Sequence, residues 1–259
     1  MSYTITDLIE IIKTLRSPDG CPWDRNQSTQ TMGPHLLEEV YEVLSAIETQ
    51  DNPALSEELG DLLFVVLLTC HIAESENRLT LSELFKSINE KMIRRHPHVF
   101  GGETLRLDEI SKKWAEIKAK EKPKNSRLDG IPNNLPALQS ASRLGQKASS
   151  VGFDWPNYKP VLSQVYNELD ELKEAINDGE AEAITHEVGD VLLSMASLSR
   201  HLKNDPETAL RKANRRFTDR FHDMETQATE AKIKLSDCQP SELELLWAQA
   251  KTNLQSQRK

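Results

Sequence analysis

The chain has 259 residues, a length that fits either one large domain or two domains of about 130 residues each. With 10 glycines, 12 prolines and 5% aromatic residues, its composition argues against β-sandwiches and β-barrels, which need many turns and aromatic strands. Its 41 acidic and 32 basic side chains leave a formal net charge of −9, which argues against a general nucleic-acid-binding protein.

The sequence also predicts the compartment. The longest apolar run, 62–68, is far shorter than the roughly 20 residues needed to cross a bilayer. Residues 1–12 show neither the basic segment nor the small-residue cleavage site of an export signal. The three cysteines are far apart and form no C-x-x-C pair. We therefore expect a reduced, cytoplasmic protein without a membrane span or a zinc site.

Four segments of the first half have apolar residues at three- and four-residue spacing, the period of an amphipathic helix. They are 36–47, 59–67, 81–92 and 107–120. Asp51, Asn52 and Pro53 separate the first two segments, and Pro97 ends the third. Residues 121–136 are charged and proline-bearing and have no apolar period, which predicts a linker.

The same order of features returns beyond this linker. The motif Gly-Cys-Pro-Trp-Asp at 20–24 is echoed by Gly-Phe-Asp-Trp-Pro at 152–156, and 58–63 is echoed by 187–192. Such repetition predicts two copies of one helical module, 1–120 and 137–259.

Each copy contains a Glu-x-x-Glu pair followed, 16 residues later, by Glu-x-x-Asp. The residues are Glu39, Glu42, Glu58 and Asp61 in the first copy and Glu168, Glu171, Glu187 and Asp190 in the second. Residues three apart share a helix face, and the spacing lets two antiparallel helices oppose these faces. Four converging carboxylates repel one another unless a cation neutralises them, and oxygen ligands favour Mg²⁺ or Mn²⁺. Gly60 and Gly189, beside the aspartates, predict close packing under the site.

A solvent-exposed acidic face is the alternative for any single pair of glutamates. The repetition of both pairs with identical spacing favours the metal site.

Basic residues on the next helix of each copy could bind a phosphate chain beside the metal. The candidates are Lys91 and Arg95 in the first copy and Arg216 and Arg220 in the second. A salt-bridged surface is the alternative. The four tryptophans are expected in the core, with base stacking as a second possibility for Trp247.

Taken in order, these motifs resemble the MazG-type nucleoside triphosphate pyrophosphohydrolases in their two-copy bacterial form. The motifs are GCPWD (20–24), LEEVYE (37–42), EELGDLLF (57–64), RRHPHVF (94–100), VGFDW (151–155) and EVGDVL (187–192). The resemblance covers nearly the whole chain. One departure is Asn167, which stands where the family has the first of two adjacent glutamates.

The resemblance implies an all-α fold of two tandem MazG-like modules and Mg²⁺-dependent hydrolysis of NTPs or dNTPs to monophosphate and pyrophosphate. It also implies a homodimer, a role in nucleotide housekeeping, and turnover by the C-terminal copy. Glu168, Glu171, Glu187 and Asp190 would then be the catalytic metal ligands. The nucleotide-binding residues would be Lys147, Arg216, Phe217, Arg220 and Trp247, with Lys91 and Arg95 as first-copy counterparts.

Two other classes of protein remain as alternatives. A di-iron carboxylate bundle would show Glu-x-x-His on two helices, and no glutamate of this chain has a histidine three residues later. A non-catalytic helical adaptor or nucleotide-binding protein would use the repeats for binding alone and would need neither metal nor turnover.

Overall fold

The structure, a computed structural model, describes residues 2–102, 104–121 and 126–256. These residues form α-helices, one short 3₁₀ turn at Leu235–Asp237 and no strands. The helices before the predicted linker are α1 (Ile5–Leu15), α2 (Pro22–Arg25), α3 (Met32–Thr49), α4 (Asn52–Ser75), α5 (Leu81–Arg95), α6 (Pro97–Phe100) and α7 (Leu107–Glu121). Those after it are α8 (Ala137–Ser149), α9 (Tyr158–Asp178), α10 (Ala181–His201), α11 (Pro206–Glu230) and α12 (Pro240–Ser256).

The chain divides into two compact units, Met1–Pro123 and Lys124–Lys259, with the division inside the predicted linker. The C-terminal part of that linker packs with the second unit. The ammonium of Lys147 on α8 donates a hydrogen bond to the carbonyl oxygen of Asp129 over 2.6 Å. No helix within the described ranges combines the length and the apolar character that a membrane span requires.

In both units the acidic helices form an antiparallel pair joined by a short turn. In the first unit, Gln50 ends α3 in a left-handed conformation (φ 58°), and the Asp51 side chain accepts a hydrogen bond from the Ala54 backbone N–H at the start of α4. In the second unit, Gly179 ends α9 with φ 76°, and α10 begins two residues later. Because these connections are so short, the second helix of each pair runs antiparallel to the first.

The two units differ in the core beside this helix pair. In the first unit, α1, α3 and α4 bury a continuous apolar cluster around Ile12, Met32, Val65, Leu68 and Ile72. The corresponding cluster of the second unit contains Val161, Val165 and Leu198.

Two packing predictions are wrong. A Cβ atom placed on Gly60 or Gly189 has no described neighbour within 4 Å, so neither glycine is required by close packing. Trp23, Trp114 and Trp155 are 53%, 37% and 42% exposed and therefore do not belong to the buried core. Trp247 is half-buried.

Candidate metal and nucleotide site

The predicted carboxylates converge in both units. In the second unit, α9 supplies Glu168 and Glu171 and α10 supplies Glu187, and one carboxylate oxygen of each lies within 4.8 Å of the others. Asp190 follows one turn after Glu187, and its Oδ2 lies 3.4 Å from Nε2 of His186. The geometry of a helix pair, with acids three residues apart on both helices, produces this convergence.

The first unit brings Glu39, Glu58 and Asp61 together within the same 4.8 Å. The fourth predicted carboxylate, Glu42, lies beside Glu58; desolvation, followed by the charge of Glu42, raises the pKa of the Glu58 carboxyl group. All eight predicted acids therefore lie in two matching clusters.

Both clusters are electrostatically costly without a cation. Desolvation, followed by the charges of Glu168, Glu187 and Asp190, raises the pKa of Glu171 above its ordinary value. In the first unit, desolvation and the neighbouring carboxylates raise the pKa of Glu39 in the same way.

Each cluster also contains one buried carboxylate oxygen without a hydrogen-bond partner among the described residues. These oxygens are Oε2 of Glu39 and Oε2 of Glu187. A buried oxygen of this kind, surrounded by other carboxylates, suits a hard divalent cation. The residues present therefore fit a metal site in both units.

A cavity of about 450 Å³ adjoins the carboxylates of the second unit. Glu168 and Asp190 contribute to its wall, and most of the remaining wall is apolar, including Leu144, Phe153 and Trp155. The helix α10 lines it along one face, with Asp190, Leu193, Ser194, Ser197 and Arg200. An apolar cleft with a few polar groups at one end is typical of a site for a small organic ligand.

Bulky side chains occupy the corresponding positions of the first unit. At the offset of 129 residues, Ser194 and Ser197 of α10 correspond to Val65 and Leu68 of α4. Val65 is 7% exposed and Leu68 is fully buried in the core of that unit. On α1, Lys13 corresponds to Gly145 of α8, counted from the matching glycine motifs.

A cavity of about 160 Å³ lies between α1, α4 and the start of α5 in the first unit. Its lining residues are Ile9, Ile12, Lys13, Leu67, His71, Glu74 and Leu81, and none of the four predicted metal ligands of the first unit is among these described residues.

The predicted nucleotide-binding residues of α11 and α12 form a cluster of their own. The Trp247 ring lies 5.1 Å from Phe217 and 5.7 Å from the guanidinium carbon of Arg220. Arg216 and Arg220 line a small depression with Lys251. Within the described part of the chain, none of these residues lines the 450 Å³ cavity, and neither does Lys147. Their role toward a nucleotide stays a prediction.

In the first unit, a carboxylate of the chain itself binds the basic cluster. Glu121, at the end of α7, pairs with Arg94 over 2.6 Å and with Nε of Arg95 over 3.0 Å. Hydrogen bonds from Arg95, the largest cause, and from Arg94 lower the pKa of Glu121 to about 2. Lys91 lines the open groove beside these arginines. No local spacing predicts this contact, because it joins residues 26 positions apart through the packing of α5 on α7.

The sequence pattern also does not predict an ion pair at the wall of the large cavity. The guanidinium of Arg200 donates two hydrogen bonds to Asp154, over 2.8 and 2.7 Å, and Nε2 of His201 lies 2.9 Å from the same carboxylate. The hydrogen bonds from Arg200, more than any other contact, lower the pKa of Asp154 to about 2. Asp154 belongs to the VGFDW motif, but nothing in the sequence points to Arg200, 46 residues later.

Comparison with known proteins identifies the family. The profile of the MazG nucleotide pyrophosphohydrolase domain matches residues 27–100 and again 157–225, which contain the acidic helix pairs of both units. The chain belongs to this family. The predicted all-α fold of two tandem MazG-like modules is thereby confirmed, since the profile matches once in each half of a helical chain.

Relatives match over nearly the full length. A nucleoside triphosphate pyrophosphohydrolase/pyrophosphatase MazG of Thermotoga maritima is 42% identical over 247 residues, 95% of this chain and 94% of that protein. A nucleoside triphosphate pyrophosphohydrolase of Escherichia coli K12 is 38% identical over 95% of this chain and 97% of its own length. A solved structure of a mazG-related protein from Thermotoga maritima is 34% identical over 44% of this chain and 97% of that chain, with a TM-score of 0.40.

Proposed function

We propose that this chain is a nucleoside triphosphate pyrophosphohydrolase that converts NTPs and dNTPs into monophosphate and pyrophosphate, and that the module 137–259 performs the turnover. The observation that carries the proposal is the open cavity beside a carboxylate cluster in the second unit. A triphosphate needs a cation site, and the flat apolar base needs a cleft next to it. The names of the full-length relatives support the same activity.

Glu168, Glu171, Glu187 and Asp190 would hold the metal, with Mg²⁺ favoured by the all-oxygen ligand set and Mn²⁺ as a substitute. The bound metal supplies neutralisation of phosphate charge and a lowered pKa for the attacking water. The protein orients the carboxylates: Gln164 donates a hydrogen bond from its amide nitrogen to Oε1 of Glu168 over 2.8 Å. A ligand fixed in this way keeps its second oxygen available to the cation.

The base would enter the cavity between α8, α9 and α10, against Phe153 and Trp155. Phosphate oxygens would then extend past the carboxylates toward solvent. Lys147, Arg216, Phe217, Arg220 and Trp247 are the proposed nucleotide-binding residues.

We also propose a homodimer, because large apolar side chains remain exposed on the acidic helices of the second unit. They include Tyr166 and Leu169 on α9 and Val188 and Leu192 on α10. A patch of this kind on two adjacent helices is typical of a surface that another chain covers.

The test measures pyrophosphate and inorganic phosphate released from each of the four NTPs and dNTPs, with Mg²⁺ and with a chelator. We expect pyrophosphate and monophosphate in equal amounts, only with metal. Release of inorganic phosphate with a diphosphate product would contradict the proposed bond cleavage. Binding of nucleotide with no product would favour the adaptor class.

A further inference from the structure

The basic clusters of the two units are built in the same way. In the first unit, the guanidinium carbon of Arg95 on α5 lies 5.2 Å from the centre of the Trp114 ring on α7. In the second unit, the guanidinium carbon of Arg220 on α11 lies 5.7 Å from the centre of the Trp247 ring on α12. Each ring also has a lysine one turn further along its helix, with the ammonium 5.2 Å from the ring centre in the first unit and 5.8 Å in the second. The same cations therefore surround a tryptophan in both units.

One position differs between the two clusters. In the register set by the two tryptophans, Glu121 of α7 corresponds to Leu254 of α12. Oε2 of Glu121 accepts a hydrogen bond from Nε of Arg95 over 3.0 Å. In the second unit, Leu254 lines a small depression with Arg220 and Asp219, and within the described ranges Arg220 forms no ion pair with a carboxylate. The chain therefore places its own anion against this arginine in the first unit and a leucine in the second.

Glu121 is held as a bound anion would be. Its Oε1 accepts a hydrogen bond from Nε of Arg94 over 2.8 Å, and its Oε2 accepts two hydrogen bonds from Arg95. The side chains of Glu121 and Arg95 are 15% and 14% exposed. These hydrogen bonds keep the pKa of Glu121 at about 2, so the carboxylate is charged at neutral pH. Guanidinium groups that converge on two carboxylate oxygens present the donors that also bind phosphate oxygens.

The groove around this contact has room for a larger anion. Its volume is about 470 Å³, within the range of small-ligand sites. The described lining contains four cations and three carboxylates. These charged residues are Lys86, Lys91, Arg94, Arg95, Glu83, Glu90 and Glu121. The carboxylate of Glu83 accepts hydrogen bonds from Thr80 at the start of α5. Without the Glu121 carboxylate, this lining would have an excess of positive charge around two guanidinium groups.

We propose that Glu121 is an autoinhibitory residue, an internal anion that occupies a polyphosphate-binding site formed by Lys91, Arg94 and Arg95 in the first unit. The ligand class is the triphosphate group, inorganic or within a nucleotide, because several charged oxygens can accept from the same donors. This choice of ligand rests on the proposed function, in which the matching cations of α11 bind the phosphates of a nucleotide. Leu254 has no charge and leaves the site of the second unit open.

The attachment of Glu121 to the chain makes it a strong competitor. A group tethered beside its own site acts at an effective concentration on the order of millimolar or above. A free triphosphate at micromolar concentration therefore finds the site closed, although it offers more charges than one carboxylate. Removal of the Glu121 carboxylate should lower the apparent Kd for triphosphate at this site by about tenfold or more.

The experiment measures by equilibrium dialysis how many inorganic triphosphate ions each full-length chain binds, with a chelator present so that the carboxylate clusters hold no metal. A second arm with ATP shows whether the site also takes a nucleotide. The variants are Glu121→Gln, which keeps the shape of the side chain, and Glu121→Leu, which introduces the residue of the second unit. Glu116→Gln is the matched control, because it removes one charge from an exposed position of the same helix. Arg95→Ala combined with Glu121→Gln removes the proposed site.

We expect both Glu121 variants to bind one more triphosphate per chain than the wild type at a ligand concentration of about 0.1 mM, below the effective concentration of the tethered carboxylate. Glu116→Gln should bind as many ions as the wild type, and the added Arg95→Ala change should abolish the extra ion. An extra site that takes triphosphate but not ATP would restrict the ligand to the inorganic ion.

A merely structural ion pair predicts a lower melting temperature for the Glu121 variants and no extra ion, and that result overturns the inference. An extra ion in Glu116→Gln, or one that survives Arg95→Ala, overturns it as well, because net charge would then be the cause. If Glu121→Leu fails to fold, Glu121→Gln decides alone.

Pyrophosphate release with Mg²⁺ is measured on the same proteins and separates this inference from the proposed function. An active wild type whose Glu121 variants bind no extra ion refutes only the role of Glu121. A wild type that releases no pyrophosphate from any nucleotide refutes the proposed function, and the dialysis comparison still tests whether Glu121 closes an anion site.

Discussion

The two units carry the same acidic helix pair but pack different side chains beside it. In the first unit, Val65 and Leu68 complete an apolar core, whereas Ser194 and Ser197 of the second unit line an open cavity. Fully burying a Val or Leu side chain stabilises a fold by about 1.5–3 kcal/mol. The first unit gains this stability at positions where the second unit keeps a cavity of about 450 Å³ beside its carboxylates. A carboxylate cluster alone therefore does not distinguish a catalytic module from a structural one.

The largest effect should come from the carboxylates of the second unit. Glu187→Gln or Asp190→Asn should lower pyrophosphate release by about 100-fold or more, as expected when a group that stabilises the transition state is lost. The fold should survive, and the melting temperature of the metal-free protein should rise, because the change removes one charge from a repulsive cluster. Wild-type rates with an unchanged melting temperature would exclude these residues from the site.

Filling the cavity should make the second unit resemble the first. Ser194→Val combined with Ser197→Leu should lower kcat/KM by about tenfold or more, because the side chains occupy the space assigned to the base. Mg²⁺ should still raise the melting temperature, since no metal ligand changes. Kinetics on the four NTPs and a thermal shift check the two expectations, and an active double variant would place the base elsewhere.

The reverse exchange opens the first unit. Leu68→Ser should destabilise that unit by about 2–5 kcal/mol, the usual cost of truncating a buried leucine. Turnover should stay within about twofold, measured at a temperature where the variant is folded, because the carboxylates and cavity of the second unit are untouched. Chemical denaturation followed by pyrophosphate release gives both numbers, and a large loss of turnover would implicate the first unit in catalysis.

The second unit should also act without the first. A fragment of residues 126–259 carries its own core, carboxylates and cavity, so we expect it to fold and to retain turnover within about tenfold of the full chain. Circular dichroism and pyrophosphate release measure the two properties. An insoluble or inactive fragment, under conditions where the full chain is active, would indicate that the units depend on each other.

The smallest effect concerns Glu121 of the first unit. Its folded-state pKa of about 2 lies below the ordinary 4.5, so its charge stabilises the fold above pH 4.5 and this contribution is lost as the pH falls toward 2. Glu121→Gln should therefore flatten the pH dependence of the melting temperature between pH 4.5 and pH 2 and leave turnover unchanged. Identical pH profiles for both proteins would show that the pair with Arg94 and Arg95 contributes nothing.

The sequence predicted the elements that depend on local pattern. The helices and the two acidic clusters follow from apolar periodicity and from carboxylates three residues apart, and both are properties of single helices and of one short turn. The division of the chain likewise falls inside a stretch without periodicity.

Features that depend on contacts between distant helices were not predictable. In the sequence, Ser197 is indistinguishable from any other polar residue of a helix. Only the packing of α8 against α10 shows that it lines a cavity. The contacts Arg95–Glu121 and Asp154–Arg200 join residues 26 and 46 positions apart, and no local spacing encodes them. The prediction of close packing at Gly60 and Gly189 was wrong for a related reason. A glycine in a helix indicates close packing only if another element lies against it, and here none of the described residues does within 4 Å of an added Cβ atom.

The assignment of turnover to the second unit is tested most directly by two double variants of the full chain, Glu168→Ala with Glu171→Ala and Glu39→Ala with Glu42→Ala. Both remove the same pair of carboxylates from matching helices, so each is the control for the other. The measurement is pyrophosphate release at saturating Mg²⁺. We expect the Glu168 and Glu171 variant to lose nearly all activity and the Glu39 and Glu42 variant to keep most of it. Loss of activity in the Glu39 and Glu42 variant alone would contradict this account and assign turnover to the first unit.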